Sequence, residues 1–196
     1  MNCSGKHAAM LWTCVINGWE PQDYLQPDHP LQRYLRDTIT TLAKAPAAPT
    51  STDGCGAPLY GLPLVGLARA LQVMPSTPAG ARVGAAMRAY PEFVGGTDRD
   101  VTHLMRGVPG LVAKDGAEAV QAMVVDVDGR RFGISLKIED GAQRARSVVA
   151  AAVLEALGMV TAVTVEHRRQ TVLGGGRPVG WIRPSAALDG LRVAAH

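Results

Sequence analysis

Two apolar runs, residues 119–127 and 132–138, are separated by the dipeptide Asp128-Gly129. Asp-Gly between apolar runs favours a two-residue β-turn, because both turn positions need a positive φ angle that these residue types tolerate. A run rich in Ala, Val and Leu follows from Gly141 to Leu157, and Gly158 is suited to end such a helix. A hairpin followed by a helix constrains the second half of the chain to antiparallel strands covered by helix.

The first half of the chain has the spacing of helices. Apolar residues recur every three or four positions, which is the period of a helix with one buried face. Residues 1–109 are therefore predicted to be mainly helical, and residues 110–196 to form the hairpin, a helix and a final strand at Val179 to Ile182. A length of 196 residues suits one domain, and the order of elements predicts an α+β fold. Helices are predicted over residues 5–16, 64–73 and 79–90, with a further helix opened by Asp28 and Pro30 and a short one capped by Asp100. Loops are predicted over 50–63 and 91–99. Residues 161–165 are predicted to form either a helical turn or a short strand.

Charge and apolar patterning argue against two classes of partner. The net charge of +3 is spread along the chain, and aromatic residues make up only 5% of it. A nucleic-acid-binding protein is expected to have a basic patch and aromatic side chains on which the bases can stack. No nucleic acid is therefore predicted as a partner. The longest apolar run, Val148 to Leu154, is far shorter than the roughly 20 residues that cross a bilayer, so no membrane span is predicted.

Cysteine usage points to a compartment and to a metal. The chain has three cysteines, and this odd, sparse number favours a reducing compartment, predicted to be the cytoplasm. Cys3 and Lys6 are three residues apart and would share one face of a helix, while Cys55 lies in the glycine-rich loop Asp53-Gly54-Cys55-Gly56. Thiols are soft ligands suited to zinc, and a lysine amine can join them once it loses its proton. The alternative is that the cysteines pack as small apolar side chains.

Lys114 is the second candidate for chemistry. It precedes Gly116 by two residues at the edge of a predicted strand. A lysine in this position can place its ammonium beside a reacting carbonyl, as the Lys-Thr-Gly motif does in serine β-lactamases. The alternative is an exposed lysine at a turn. His7 adjoins Lys6 and is predicted to orient a substrate group, whereas the histidines show no metal-ligand spacing among themselves.

Taken together, these motifs resemble a known family. The chain carries four motifs in order: Asn2-Cys3-Ser4-Gly5-Lys6-His7-Ala8, then Asp53-Gly54-Cys55-Gly56-Ala57-Pro58, then Ala113-Lys114-Asp115-Gly116-Ala117-Glu118, and last Leu136-Lys137-Ile138-Glu139-Asp140-Gly141 with the adjoining Arg144-Ala145. This series resembles the Rhizobium etli-type L-asparaginases, the thermolabile L-asparaginase II family. Four ordered motifs are far more specific than any one of them.

The resemblance implies a fold, a reaction and a set of site residues. The fold would be that of serine β-lactamases and glutaminases, and the reaction would convert L-asparagine to L-aspartate and ammonia. Zinc would be bound by Cys3, Lys6 and Cys55, with Asp53 beside that lysine. Asp53 and His7 would also bind the substrate, with His7 at its edge. Lys114 would be the lysine that pairs with a catalytic serine. A homodimer is a further expectation.

The chain also departs from the family pattern. It contains no Ser-x-x-Lys motif, and Asp115 stands where a second glycine usually follows the lysine, so its carboxylate can pair with Lys114. The resemblance places Met1 well inside the family pattern, so a C-terminal portion of one domain, without its first strands and with little or no activity, is expected. Two alternatives remain: a non-catalytic zinc-binding remnant, and a β-lactamase-like hydrolase of another amide.

Overall fold

The structure is a computed structural model that describes residues 2–189 and 191. Helices and antiparallel strands alternate along the chain, which confirms the α+β prediction. None of the helices within these residues is long and apolar enough to span a membrane. The elements are α1 Asn2–Asn17, α2 Pro30–Ala43, β1 Ala48–Thr52, β2 Pro58–Gly61, α3 Leu64–Val73, α4 Pro78–Ala89, α5 Pro91–Gly95, α6 Asp100–Gly107, β3 Val112–Asp115, β4 Val120–Val127, β5 Arg130–Lys137, α7 Arg146–Ala156, α8 Ala162–His167, β6 Gln170–Gly174, β7 Arg177–Ile182 and α9 Ala186–Asp189.

The central sheet has the strand order β3-β4-β5 and is antiparallel throughout. Asp128 and Gly129 join β4 to β5 with φ angles of 50° and 76°, the positive pair that a type I′ turn requires, so the predicted hairpin is confirmed. The register pairs Asp115 of β3 with Gln121 of β4 and Lys114 with Ala122. Side chains alternate between the two faces of a strand, so Lys114 and Asp115 start from opposite faces of the sheet.

Helices cover both faces of this sheet. On one face, α6 and α7 bury a core with the sheet that includes Leu104, Met123 and Leu154. On the other face, α3 packs so closely that a Cβ at Gly133 would lie 2.1 Å from the backbone oxygen of Ala68. This arrangement is the layered packing expected when a sheet buries two apolar faces.

A second, smaller core joins the first two helices. Met10 and Cys14 from α1 pack against Leu31 from α2 and against Ala57, which lies between β1 and β2. Cys14 is fully buried, so for this cysteine the alternative of packing as a small apolar side chain is confirmed. This core fixes the start of α1 against the β1–β2 turn, and that contact builds the site described below.

The predicted polar loop over 50–63 is wrong, because most of it forms the β1–β2 hairpin. Ser51 pairs with Leu59, and Thr52 pairs with Pro58. The turn is closed by two hydrogen bonds, from the N–H of Asp53 to the oxygen of Ala57 and from the N–H of Gly56 to the oxygen of Asp53. Serine and threonine suit both loops and strands, so the pairing partner decided the outcome.

Several predicted helix boundaries also need correction. The cap of α2 is His29 rather than Asp28, since its Nδ1 accepts a hydrogen bond from the N–H of Leu31. The predicted loop at 91–99 contains the short helix α5, and Asp100 is the first residue of α6 rather than its cap. The helix predicted from Gly141 begins at Arg146, after a 3-10 turn. Residues 161–165 are helical, with a capping box between Thr161 and Thr164.

Candidate functional site

The candidate site lies where the start of α1 meets the β1–β2 turn. Cys3 and Lys6 occupy the first turns of α1, and Asp53 and Cys55 occupy the hairpin turn. The Sγ atoms of Cys3 and Cys55 and a carboxylate oxygen of Asp53 all lie within 4.8 Å of one another. The structure therefore brings together the two thiols, the amine and the carboxylate that the sequence singled out, and we call these four residues the thiol–amine cluster.

Lys6 links the members of the cluster. Its Nζ donates to Oδ2 of Asp53 at 3.2 Å and to Sγ of Cys55 at 3.2 Å. The thiol of Cys55 donates in turn to Oδ2 of Asp53 at 3.3 Å. The other carboxylate oxygen accepts the backbone N–H of Gly54 at 2.8 Å, which fixes the orientation of Asp53.

These contacts favour the charged forms of the lysine and the aspartate. Burial pulls the pKa of Lys6 down, but hydrogen bonds to Cys55 and Asp53 outweigh it and raise that pKa above its ordinary value. The hydrogen bond from Cys55, followed by those from Lys6 and Gly54, lowers the pKa of Asp53. Without a metal ion, Lys6 is therefore an ammonium paired with a carboxylate, and binding through its nitrogen would require release of that proton.

The donor set fits a zinc ion. Zinc takes four ligands in a tetrahedron, and thiolate ligands about 2.3 Å from the metal lie about 3.8 Å apart, within the span that the cluster shows. Cys3 and Cys55 supply the two soft sulfur atoms. Either Lys6 or Asp53 could be the third ligand, because Nζ and the carboxylate lie equally close to the thiol of Cys55. The structure thus adds Asp53 as a candidate metal ligand, whereas the resemblance implied a position beside Lys6 and a contact with the substrate.

His7, which follows Lys6 in the sequence, contacts the aromatic ring of Tyr24. Its Nδ1 lies 2.6 Å from the hydroxyl of Tyr24, and the two rings meet edge to face. This contact fixes the imidazole, so that any contact with a substrate is left to its other nitrogen.

Lys114 lies in a different polar network. Its Nζ donates to the backbone oxygen of Asp115 and, at 3.1 Å, to Oδ1 of the same residue. The expected pairing of Lys114 with the carboxylate of Asp115 is therefore confirmed. Within the described residues, no hydrogen bond or ion pair joins Lys114 to the thiol–amine cluster.

Arg146 is the residue that the sequence analysis missed. Its guanidinium is 2% exposed and donates to Oδ1 of Asp100 at 2.8 Å and to Oε1 of Gln121 at 3.2 Å. It also lies 3.7 Å from Oδ2 of Asp115, which is opposite Gln121 in the sheet. The signal in the sequence that could have identified Arg146 was the position of an arginine at the start of a mainly apolar helix.

Asp115 is buried and yet ionised because of this network. Burial alone would raise its pKa, but the charge and hydrogen bond of Lys114 and the charge of Arg146 outweigh it and lower the pKa of Asp115. Arg99 adds a third cation, with Nη2 at 3.2 Å from Oδ2. The carboxylate is thus fixed from three sides and in turn fixes the amine of Lys114.

Two cavities flank these networks. A polar cavity of about 650 Å³ lies beside Arg146 and is lined also by Asp100, His103 and His167. An apolar groove of about 650 Å³ lies beside Lys6, between α1, α2 and α3. The lining of the groove is almost entirely apolar, so the thiol–amine cluster is a better candidate for binding a polar ligand or a metal than the groove itself.

A comparison with known protein families identifies a relationship for almost the whole chain. The model of a family described as L-asparaginase II matches residues 1–184. This range contains every candidate site residue. A search of curated proteins finds no match.

Proposed function

The chain belongs to the L-asparaginase II family, and we propose that its thiol–amine cluster is a zinc site that serves the hydrolysis of L-asparagine to L-aspartate and ammonia. The family implies a hydrolase that acts on asparagine. The observation that carries the proposal is the convergence of Cys3, Lys6, Asp53 and Cys55. A thiol pair with an amine and a carboxylate is a donor set for zinc rather than an ordinary surface ion pair.

Each residue of the cluster has a proposed role. Cys3 and Cys55 would hold the metal through sulfur, and Lys6 would be the third ligand. Asp53 would orient Lys6, since Oδ2 lies 3.2 Å from Nζ, and the proton that the ammonium must lose on metal binding would pass to solvent. When bound, zinc supplies a positive charge that can orient a substrate and polarise a carbonyl. His7 would contact the edge of the substrate, with its ring held by Tyr24.

Lys114 is proposed to act in proton transfer with a serine. In such a reaction the serine hydroxyl attacks the side-chain amide, ammonia leaves, and water hydrolyses the resulting ester. Asp115 fixes the position of the Lys114 amine through the contact of its Oδ1 with Nζ. A positioned ammonium can give a proton to the leaving amine. The antiparallel sheet that carries Lys114, followed by α7, supports the proposed relationship to the serine β-lactamase fold.

A second candidate function follows from two observations. The sequence has no Ser-x-x-Lys motif, and the polar network of Lys114 is distinct from the thiol–amine cluster. We therefore expect little or no asparagine turnover by the 196-residue chain alone, in which case it would act as a zinc-binding protein.

The test combines metal analysis with three substrates. The purified chain is loaded with zinc, and hydrolysis is measured with asparagine, glutamine and a β-lactam. Stoichiometric zinc with ammonia released from asparagine, however slowly, supports the proposed function, and Lys114→Met should then abolish the release. Bound zinc without turnover of any substrate supports the zinc-binding alternative. Hydrolysis of the β-lactam but not of asparagine would identify a hydrolase of another amide, and absence of zinc binding would refute the proposed site.

A further inference from the structure

Two of the three cysteines lie close enough to react with each other. The Sγ atoms of Cys3 and Cys55 are within 4.8 Å, and both residues are half-buried. A disulfide requires the sulfur atoms to be about 2.05 Å apart. Rotation about the Cα–Cβ bond of one cysteine moves its sulfur by up to about 3 Å, so a change of rotamer covers the difference.

The backbone around both cysteines can accommodate such a bond. Cys3 lies in the first turn of α1, where the helix has not yet completed its hydrogen bonds. Cys55 lies in the hairpin turn, beyond the last pair of the strands, Thr52 with Pro58. Both cysteines are only partly buried, so neither sulfur starts from a fully buried position.

We propose that Cys3 and Cys55 form a reversible disulfide in the metal-free protein when it meets a peroxide, so that the thiol–amine cluster is a redox switch. The formation of the bond rests on the geometry of the two sulfur atoms. Only its effect on metal binding rests on the proposed function. Oxidation would remove both soft ligands at once and would tie the start of α1 to the β1–β2 turn.

The oxidation proceeds in two balanced steps. One thiol attacks hydrogen peroxide, an S–O bond forms, the O–O bond breaks and one water leaves. The second thiol attacks the resulting sulfenic sulfur, the S–S bond forms, the S–O bond breaks and a second water leaves. The two thiols thereby lose two electrons and two protons to the peroxide. A dithiol reductant reverses the bond.

Cys14 provides a control within the same helix. It is fully buried, and burial raises the pKa of its thiol, so it is shielded from the reagent. It packs with Met10 and Leu31 in the smaller core. Oxidation should therefore consume two of the three thiols of the folded chain and leave the third.

The experiment uses the full chain, stripped of metal with a chelator and treated with limited hydrogen peroxide. Peptide mass spectrometry without reductant should find the Cys3 peptide joined to the Cys55 peptide, and a thiol titration carried out in denaturant after the peroxide treatment should fall from three thiols to one. Dithiothreitol should restore the lost thiols. Cys14→Ala should still form the crosslink, and Cys3→Ser should leave Cys55 as a sulfenic acid that a dimedone probe labels.

Two results would overturn the proposal. One is independent oxidation of Cys3 and Cys55 without a crosslink, and the other is a crosslink that involves Cys14 or a second copy of the chain. A third arm adds zinc before the peroxide, and about tenfold slower crosslinking is expected if the metal occupies both sulfur atoms. Crosslinking that zinc does not slow leaves the disulfide established and counts against the proposed zinc site, so the two failures are distinguishable.

Discussion

The Nζ atom of Lys6 lies 3.2 Å from the Sγ atom of Cys55, although 49 residues separate them in sequence. Lys6 is held by a helix and Cys55 by a hairpin turn, and these two elements meet where Met10 of α1 and Ala57 of the turn share the smaller core. Lysine beside cysteine is an uncommon pair for an exposed ion-pair network, since thiols are weak hydrogen-bond partners. The pair therefore has a chemical consequence that can be tested by substitution.

Replacing either Cys3 or Cys55 should weaken the binding of zinc. Cys3→Ser and Cys55→Ser each take away one soft ligand, and we expect apparent zinc affinity to fall at least about tenfold. Competition with a chromophoric chelator gives the affinity, and the sulfur-to-metal charge-transfer band of the cobalt-substituted protein gives the ligand. Cys14→Ala is the matched control and should retain both signals. Each single variant keeps one sulfur ligand, so a weaker band is expected in both. Absence of the band from the unsubstituted chain, or unchanged affinity in both variants, would refute coordination by these two thiols.

Lys6 and Asp53 can be distinguished as ligands by the pH dependence of binding. Because the pKa of Lys6 is raised, its amine keeps a proton to higher pH, so binding through nitrogen should strengthen continuously as the pH rises through the alkaline range. Lys6→Met should weaken binding and flatten this dependence. Asp53→Asn should weaken binding less and keep the slope. The opposite ranking of the two variants would make Asp53 the ligand.

Arg146 should contribute more to folding stability than an exposed arginine does. Arg146→Met leaves the buried carboxylate of Asp115 and that of Asp100 without their shared cation, and we expect a loss of about 3 kcal/mol or more in the free energy of unfolding. Arg131→Met is the matched control, because Arg131 pairs with Asp126 in an exposed position. Its loss should be about 1 kcal/mol or less. Urea unfolding measures both, and equal losses would contradict the role of Arg146.

The histidine pair in the polar cavity should make stability depend on pH. Burial, and then the nearby His103, lowers the pKa of His167, whereas Asp100 and Glu166 act in the opposite direction. The folded chain therefore binds this proton less readily than the unfolded chain does. The resulting stability is fully present above about pH 6.5 and is lost as the pH falls through the lower folded pKa.

Substitution separates the two causes of the lowered His167 pKa, which are burial and the neighbouring His103. His167→Gln should abolish this part of the pH dependence in urea unfolding, and His103→Gln should reduce it while leaving the contribution of burial. An unchanged slope in His167→Gln would show that other groups carry the dependence.

Local turn chemistry made part of the fold predictable. The β4–β5 hairpin follows from Asp128-Gly129 alone, because two neighbouring positive φ angles select these residue types. The β1–β2 hairpin was missed because its turn and its strands are built from residues that also suit loops. The pairing of its two strands, together with the contact of Ala57 with the second core, defines that segment as a hairpin.

The site was predictable to the extent that its residues lie in recognisable motifs. Cys3, Lys6 and Cys55 could be found in this way, and Lys114 likewise. Arg146 could not, because its partners Asp100 and Gln121 lie 46 and 25 residues away on other elements. Such a network is set by packing geometry, which no spacing along the chain records.

The β6–β7 hairpin is expected to unfold locally before the central sheet does. Every residue of β6 is exposed, and an isolated two-stranded sheet is marginal in water. We expect its amide hydrogens to exchange with deuterium through local unfolding well before those of β4, whose residues are mostly buried. Because Gln170 and Thr171 of β6 line the polar cavity, each local opening would also remove part of the wall of that cavity.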